Sequence, residues 1–203
     1  MADLKTRETV KVTGKIKIDT YRAGFADAVN PYLTQLQRFR KLQSRLDVAG
    51  QIQQLIETID DIRKEYHIRT AVECPNTVMD SPNYGIDLII QQLVGITTYT
   101  LSLNYIEIGT GNTTPTISDT ALTTPTNRGT VTFQQDYGTT DAIVQTIFSD
   151  SQLANGTYYE MGTFAGGTTT IGSGQLFNHA LFGTAYTKTS GQDTTVQADF
   201  SFS

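Results

Sequence analysis

Residues 130–164 read TVTFQQDYGTTDAIVQTIFSDSQLANGTYYEMGTF and contain candidate β-strands in close succession. In each strand apolar side chains alternate with polar ones, the pattern of a strand with one buried face. Asn155-Gly156 precedes the last strand, and both residues tolerate a positive φ, so we expect a hairpin turn there. The strands predicted in this segment are 130–137, 142–149 and 157–164.

Similar short runs continue on both sides of this segment, at 99–108, 175–182 and 196–202. From Ile96 to Ser203, 26 of 108 residues are threonine. Its branched Cβ favours extended backbone, and its hydroxyl group suits a solvent-facing position. Short strands separated by Gly, Asn and Thr turns are typical of β-sandwiches. We therefore predict an antiparallel, jelly-roll-like β-sandwich for residues 96–203.

The first part of the chain changes from a strand pattern to a helical one. Residues 9–21 alternate, which predicts one long strand or a strand pair interrupted near Gly14. After a predicted loop at 23–30, Asn30-Pro31 is a typical helix start, with Asn as the N-cap and Pro in the first turn. Apolar residues then follow a helical period over 33–66.

Two interpretations of residues 33–66 remain open. One helix of about 35 residues would be long enough for a coiled coil. Alternatively, Asp47-Val48-Ala49-Gly50 separates two helices that pack together. We favour two helices, because the spacing drifts from a strict heptad and Gly50 would cost about 1 kcal/mol inside a helix. The apolar residues expected to form oligomer or docking contacts are Leu36, Phe39, Leu42, Leu46, Ile52, Ile56, Ile59 and Ile62.

Residues 68–84 contain Pro75 and Pro82 and predict a linker. Residues 86–94 predict a short helix with Ile86, Ile89, Ile90 and Leu93 on one face. The expected fold class is therefore α+β. It comprises an N-terminal strand and helical docking region (1–73), a linker with a short helix (74–95) and a β-sandwich domain (96–203).

Composition and charge exclude several classes of function. Of 203 residues, 38% are hydrophobic and 17% charged, with Cys74 as the single cysteine and two histidines. An intrachain disulfide and a multi-cysteine metal site are thereby excluded, and we expect no metal or cofactor. Through Glu73 there are 13 Lys and Arg against 10 Asp and Glu; beyond it there are 2 against 10. This acidic second region argues against nucleic-acid binding, which requires basic side chains.

We expect that the protein does not insert into a membrane and that it is synthesised in a reducing cytosol. The first residues, MADLKTRETVKVTGKIK, contain no apolar stretch of the kind found in secretory signals. The most apolar run, residues 86–96, contains Asp87, Gln91 and Gln92. It is also much shorter than the roughly 20 apolar residues that cross a bilayer.

No set of residues in the sequence predicts a reaction centre. Gly109-Thr110-Gly111 follows a predicted strand but lacks the third glycine of a dinucleotide motif, and Pro115 stands where a helix should begin. The acidic residues of the second region are scattered, and without tryptophan no sugar-stacking platform of that type exists. His179 has no catalytic partner near it in sequence, so we expect it on the sheet surface or at an interface. We predict no catalytic residues.

Arg128 is the one basic residue between Ile96 and Ala185, in a stretch rich in Asp and Glu. A guanidinium group binds a carboxylate through two parallel hydrogen bonds, and such a pair would tie a loop to the sheet. Our first choice of partner is Glu160. The alternative is a solvated loop arginine.

The second region resembles structural proteins of tailed bacteriophages. In these proteins a strand ends in a GTG turn, followed by TxP, SDTAL and an arginine; here Asn104-Tyr105-Ile106-Glu107-Ile108 leads into the same order. Thr124-Pro125-Thr126 departs from the pattern, since an acidic residue usually precedes the arginine. The similarity covers residues 96–203, about half the chain. The residues that carry it are Gly109, Gly111, Pro115, Asp119, Leu122, Arg128, Glu160 and Gly162.

The resemblance implies a non-enzymatic virion subunit of a tail, baseplate or fibre attachment, assembled in the host cytoplasm. Its partners would be further copies of itself, as a trimer or ring, and other virion proteins. The alternative is a receptor-binding or head-decoration module, which would recognise a host surface glycan or the capsid through the loops 109–128 or 166–174. A hydrolytic tail enzyme ranks last, because it needs a carboxylate pair in a cleft.

Overall fold

The computed structural model describes residues 11–42, 48–96 and 98–203. Over these ranges the structure has three helices, all in the first half of the chain, and mostly antiparallel strands, which is compatible with the predicted α+β class. In chain order the elements are β1 (Val12–Arg22), α1 (Phe25–Leu42), α2 (Ala49–Tyr66), β2 (His67–Pro75), β3 (Thr77–Val78), β4 (Asp80–Ser81), β5 (Tyr84–Gly85), α3 (Ile86–Leu93), β6 (Leu103–Gly109), β7 (Pro125–Thr130), β8 (Phe133–Tyr137), β9 (Asp141–Phe148), β10 (Gly156–Ala165), β11 (Gln175–Lys188) and β12 (Gln192–Phe202).

Two five-stranded sheets share one apolar core. The first sheet has the strand order β2-β1-β12-β9-β8 and the second β3-β11-β10-β6-β7. Alternate residues of both sheets point into the same cluster, which is compatible with the predicted sandwich. Its members include Ile16, Ile18, Val144, Val196 and Phe200 from the first sheet, and Ile106, Ile108, Met161, Phe177 and Phe182 from the second.

The chain crosses between the sheets at both lateral edges. β7 and β8 are joined by two residues: the backbone N–H of Val131 donates to Asn104 in the second sheet, and that of Thr132 donates to Gln145 in the first. On the opposite side only Asn76 separates β2 from β3. Each sheet edge therefore continues covalently into the edge of the other sheet.

The N-terminal strand lies inside the first sheet. β1 pairs with β12 along its whole length and with β2 on its other side. It runs through Gly14 without interruption, so the strand-pair alternative is wrong for the part after residue 10. The predicted linker is also wrong in its first half, where β2 forms. This segment lacks a clear alternating pattern because it is an edge strand, held in place by β1.

Helices α1 and α2 are separate and pack on the outer face of the first sheet, which confirms the two-helix interpretation. Leu33 and Leu36 from α1 and Ile59 from α2 contact the same cluster as Phe133 and Ile147 of the sheet. The amphipathic pattern of the helices is thus used within the chain. The helices run antiparallel, since the first residue of α1 and the last of α2, Phe25 and Tyr66, lie with ring centroids 6.2 Å apart.

α1 begins earlier than predicted, and Pro31 lies inside it. The helix starts directly after Gly24, whose φ of 93° suits a residue without Cβ. The buried carboxylate of Asp193, on β12, accepts a hydrogen bond from the Ala26 backbone N–H at 2.8 Å and so caps the helix. A cap supplied from so far along the chain leaves no local sequence signal, which is why Asn30-Pro31 was misleading.

Two further local predictions are corrected by the structure. α3 forms where expected, but its buried residue is Leu88, whereas Ile90 and Leu93 face solvent. Asn155-Gly156 is not a hairpin turn, because β9 belongs to the first sheet and β10 to the second. Asn155-Gly156 instead lies at the end of the segment that connects the first sheet to the second.

Candidate functional site

The outer face of the second sheet carries two buried glutamates. Gly162 on β10 pairs with Glu107 on β6 and with His179 on β11, so the three residues form one row across the sheet. Glu107 and Glu160 are both 0% exposed. Two loops, 110–124 and 166–174, lie against this face and supply most of the hydrogen-bond donors that the carboxylates need.

Glu160 accepts four hydrogen bonds. Its Oε1 accepts from the backbone N–H groups of Gly111 at 3.0 Å and Thr124 at 2.7 Å, and its Oε2 from that of Thr123 at 3.0 Å and from His179 Nε2 at 2.8 Å. Burial acts to raise the pKa of this carboxyl group, but the bonds from His179, Thr124 and Thr123 outweigh it and hold the pKa below its ordinary value. Glu160 therefore fixes both ends of the loop as an ion.

His179 lies between two carboxylates. Its Nδ1 is 2.8 Å from Asp119 Oδ2 and its Nε2 is 2.8 Å from Glu160 Oε2, while its side chain is 1% exposed. Burial lowers the pKa of the imidazole, but the bonds to Glu160 and Asp119 outweigh this, so the pKa lies above its ordinary value. Two ring nitrogens facing two carboxylates require a doubly protonated ring. His179 lies on the outer face of the sheet, as one of the two expectations had it, but it is buried.

Three glycines of the motif make room for this arrangement. A Cβ on Gly109 would lie 2.7 Å from Glu160 Oε1, and one on Gly111 would overlap the same oxygen. A Cβ on Gly162 would lie 2.8 Å from Leu176 and 3.0 Å from Leu122, which packs over it and is 5% exposed. Gly109 and Gly111 therefore leave space for the Glu160 carboxylate, and Gly162 leaves space for Leu122.

Arg128 pairs with Glu107 and not with Glu160, so our first choice of partner is wrong. The Nη1–Oε1 distance is 2.5 Å, and both side chains are 1% exposed or less. The reason is register: β7 pairs with β6, which places Arg128 directly opposite Glu107. The guanidinium lies over the rings of Tyr105 and Phe164, at 4.2 and 4.8 Å from their centroids.

The same ion pair holds the second loop. Arg128 donates to the carbonyl groups of Thr168 at 2.8 Å and Ser173 at 2.7 Å, and Glu107 Oε1 accepts from the Gly172 backbone N–H at 2.7 Å. Loop 166–174 is therefore fixed by an arginine and a carboxylate that both lie beneath it.

A further buried charge, Lys188, organises the crossing from β9 to β10. Its ammonium group donates to Asp150 at 2.5 Å and to Asn155 at 3.2 Å, and its side chain is 0% exposed. The backbone N–H of Asp150 in turn donates to Asp193, the residue that caps α1. Sequence analysis missed this network, since its members are scattered along the chain.

Most of the residues predicted for docking are covered within the chain. Leu36 and Ile59 are 1% and 2% exposed and are therefore unavailable to a second molecule. Leu42 is 37% exposed, and Leu46 lies outside the residues that the structure describes. The residues that pack partly buried against the helix cluster are Phe39, Ile52, Ile56 and Ile62. Of the loop motif, Pro115 is half-buried.

An apolar patch is exposed at the end of α3. Its members are Ile90, Leu93, Val94 and Ile96, which are 51%, 80%, 66% and 48% exposed. The chain from Leu88 to Ile106 contains no Asp, Glu, Lys or Arg. Contiguous exposed apolar residues of this kind mark contact surfaces. The sequence pattern put Ile90 and Leu93 on one helix face with Ile86 and Ile89, and did not indicate that they are exposed.

An open groove of about 490 Å³ lies beside β1, β9 and β12. Lys15, Asp141 and Asp199 are among its lining residues. Burial raises the pKa of Asp199, and the hydrogen bond from Gln197 offsets only part of the rise. Glu107 and Glu160 are 0% exposed beneath the loops, so they do not form the accessible carboxylate pair that glycoside hydrolysis needs.

Comparison with protein families, with curated proteins and with solved structures finds no match. None of the helices in the described part of the chain combines the length and the apolar character needed to span a membrane. Within the same ranges, no group of three or more His, Cys, Asp or Glu side chains is placed to hold a metal ion.

Proposed function

We propose that this chain is a non-enzymatic structural subunit of a tailed-bacteriophage virion, in the tail, the baseplate or a fibre attachment. It acts by associating with further copies of itself, as a trimer or ring, and by docking to other virion proteins. In this proposal it uses no cofactor, contacts no nucleic acid and does not enter a membrane.

The observation that carries the proposal is the apolar patch at the end of α3. Leu93 and Val94 are 80% and 66% exposed, which leaves apolar surface in water unless another molecule covers it. We assign further copies of the chain as the occupants, because the patch carries no charge, so several copies of it meet around a shared symmetry axis without repulsion. Beyond Glu73 the chain has 10 acidic side chains against 2 basic ones, so most other surfaces of this region repel their own copies.

The chemistry of the buried charges and the resemblance give further support. His179, Glu160, Glu107 and Arg128 are each used to hold a loop on the sheet. The residues shared with tailed-bacteriophage proteins include Glu107, Arg128, Glu160 and the glycines beside them, whereas His179 is not among them. We also propose that the pair of sheets is a variant of the jelly-roll-like sandwich, in keeping with the first and last strands lying side by side.

Sedimentation velocity over a range of concentrations tests the assembly. We expect the wild-type chain to sediment as a trimer or a larger ring. Replacement of Leu93 and Val94 together by Lys should give monomers with an unchanged melting temperature, because both side chains are exposed. Ile68→Lys is the matched control, since Ile68 is 45% exposed on β2, and should leave the assembly intact. A wild-type chain that stays monomeric at every concentration would refute self-assembly.

A second candidate is a receptor-binding or head-decoration module, favoured by the rigid attachment of the two loops. Loops held in place before binding lose little entropy when a ligand arrives. Ile117 and Ile171, in these loops, are 57% and 43% exposed and would lie in the contact. Binding to a glycan array or to purified capsids, lost on replacing both residues by Ser, would favour this function. An array and a capsid assay without binding would eliminate it.

A further inference from the structure

Residues 112–122 form a flap that is attached to the second sheet at three places. Its two ends are held by Glu160, which accepts hydrogen bonds from Gly111 on one side and from Thr123 and Thr124 on the other. Its middle is held by Asp119, which contacts Nδ1 of His179. Glu160 is bonded to Nε2 of His179, and Asp119 is bonded to Nδ1 of the same ring. Glu160 also accepts from three backbone N–H groups, whereas His179 is the one side chain of the sheet that holds Asp119 among the described residues.

We propose that the proton shared between His179 and Asp119 is a latch for this flap. While the imidazole carries both protons, the middle of the flap is docked. When the ring loses one proton, the middle of the flap lifts from the sheet and both ends stay attached to Glu160. The latch operates whether or not the chain is part of a virion.

The geometry determines which contact is lost. A neutral imidazole keeps one N–H, so one of its nitrogens then turns a lone pair toward a carboxylate oxygen at 2.8 Å. Glu160 is 0% exposed and also accepts from three backbone N–H groups, so it stays in place. The remaining N–H of the neutral ring is therefore at Nε2, where it donates to Glu160. The side chain of Asp119 is 25% exposed and can turn into water. The contact between His179 and Asp119 is therefore the one that breaks.

The turn that contains Asp119 can move as a unit. Asp119 accepts hydrogen bonds from the backbone N–H and the hydroxyl of Thr116 at 3.0 and 2.6 Å, and its own N–H donates to the Thr116 carbonyl at 3.1 Å. One backbone bond then ties this turn to the body, from Asp80 N–H to Ile117 at 2.8 Å. Ile117 is 57% exposed and contributes little burial. Leu122, packed over Gly162, stays with the fixed end.

Few other charges act on the ring. β10 contributes Glu160 and the flap contributes Asp119. β3, which pairs with β11 here, contributes the uncharged Thr77 and Val78. Beyond β10 lies Glu107 on β6, which is paired with Arg128. The two direct carboxylates raise the pKa of His179 against the opposing effect of burial. Closure is thus fully supported below the ordinary imidazole pKa of about 6.5 and is lost as the pH rises through the folded value.

Hydrogen exchange by NMR across this pH range tests the latch. The amide of Asp80, which donates to Ile117 in the flap, reports the middle of the flap, and those of Gly111, Thr123 and Thr124 report its ends. After correction for intrinsic exchange, the equilibrium constant for opening at the middle should rise about tenfold per pH unit. This rise should extend from the ordinary pKa of an imidazole to the raised pKa of His179 in the closed flap, and the constant should then level off. The ends should show no such rise. The pKa of His179 is read from its imidazole resonances, with His67 assigned through His67→Gln.

A matched variant separates the latch from general loosening. In Asp119→Asn the side-chain oxygen still accepts from Thr116 and the amide donates to the neutral imidazole, so the opening at the middle should become independent of pH. Asp136→Asn removes the same charge from β8, in the other sheet, and should behave as wild type. The latch is refuted if the middle stays protected in wild type after His179 has lost its proton. Equal loosening of the ends, or an unchanged pH profile in Asp119→Asn, would also overturn it.

Discussion

The two sheets are covered on their outer faces in different ways. The first sheet is covered by α1 and α2 through apolar contacts such as Leu36 and Ile59 against Phe133. The second is covered by the loops 110–124 and 166–174, which are attached through the ionised groups of Glu160 and Arg128. Apolar packing fixes a helix without regard to pH, whereas buried ions fix loops that bury little apolar surface of their own.

The two kinds of cover have different consequences, one for the stability of the fold and the other for the positions of the loops. The helix-covered face contributes burial, which is not directional. The loop-covered face contributes hydrogen bonds of fixed length and angle, which define where each loop lies. A protein that presents loops to partners gains from the second kind of cover, because the contact surface keeps one shape.

Glu160→Gln should have the largest effect on stability, and it should disturb only the loops that cover the second sheet. It leaves the protonated His179 without its buried counter-ion and turns an amide toward backbone N–H groups. Removing one partner of a buried ion pair costs about 3–5 kcal/mol. The free energy of unfolding in urea should fall by that amount, with α1 and α2 still protected from exchange at low denaturant. Glu73→Gln, at an exposed pair with Lys15, is the control and should change little.

Leu36→Ala should come next and should break the helix cover. The side chain is 1% exposed between the helices and the sheet, and truncating such a residue costs about 2–5 kcal/mol. Its effect on the free energy of unfolding should be the same at pH 5 and pH 8, since no ionised group is removed. Leu42→Ala makes the same change at a 37% exposed position of α1. Equal losses in the two variants would contradict the packing described.

Gly162→Ala should have a smaller effect, about 1–3 kcal/mol, because the added methyl overpacks the site. It would meet Leu176 and Leu122 at 2.8 and 3.0 Å and displace the fixed end of the flap. Thermal unfolding measures the loss. Gly156→Ala on the same strand has nothing within 4 Å of its Cβ and is the control. A variant at position 162 that melts like the one at position 156 would show that Leu122 does not pack there.

The smallest effect should be in the pH profile. The pKa of Glu160 and that of Asp119 are lowered in the folded chain, so their contribution is present above about pH 4.5 and is lost in acid. The pKa of His179 is raised, so its contribution declines above about pH 6.5. Each group changes the stability by at most about 1.4 kcal/mol per pH unit. In His179→Gln the alkaline decline should disappear, as denaturation at pH 6 and pH 9 would reveal.

Much of the fold was predictable because it rests on periodic burial. β9 and β10 lie within one residue of their predicted bounds, and both amphipathic helices form. β7 was missed: its sequence PTNRGT contains no large apolar residue, and it is a strand because β6 pairs with it. The start of α1 was missed because Asp193 caps it from the last strand. Both failures come from tertiary contacts that leave no local pattern.

The candidate site was predictable only in part. The resemblance identified Glu160, Gly162 and Arg128 as motif residues, but not their partners. Glu160 and His179 lie on neighbouring strands joined by a long loop, and their contact depends on the register in which Gly162 pairs with His179. A glycine at an outward strand position beside a glutamate was the one available signal, since it leaves space for an inserted loop.

Immunogold electron microscopy of phage particles, purified from infected cells that produce this chain, tests the proposed role most directly. With an antibody raised against the folded protein, we expect gold at one fixed place on the tail, the baseplate or the fibre attachment, on most particles. Label confined to the soluble fraction of the lysate, with bare particles, would contradict a virion subunit.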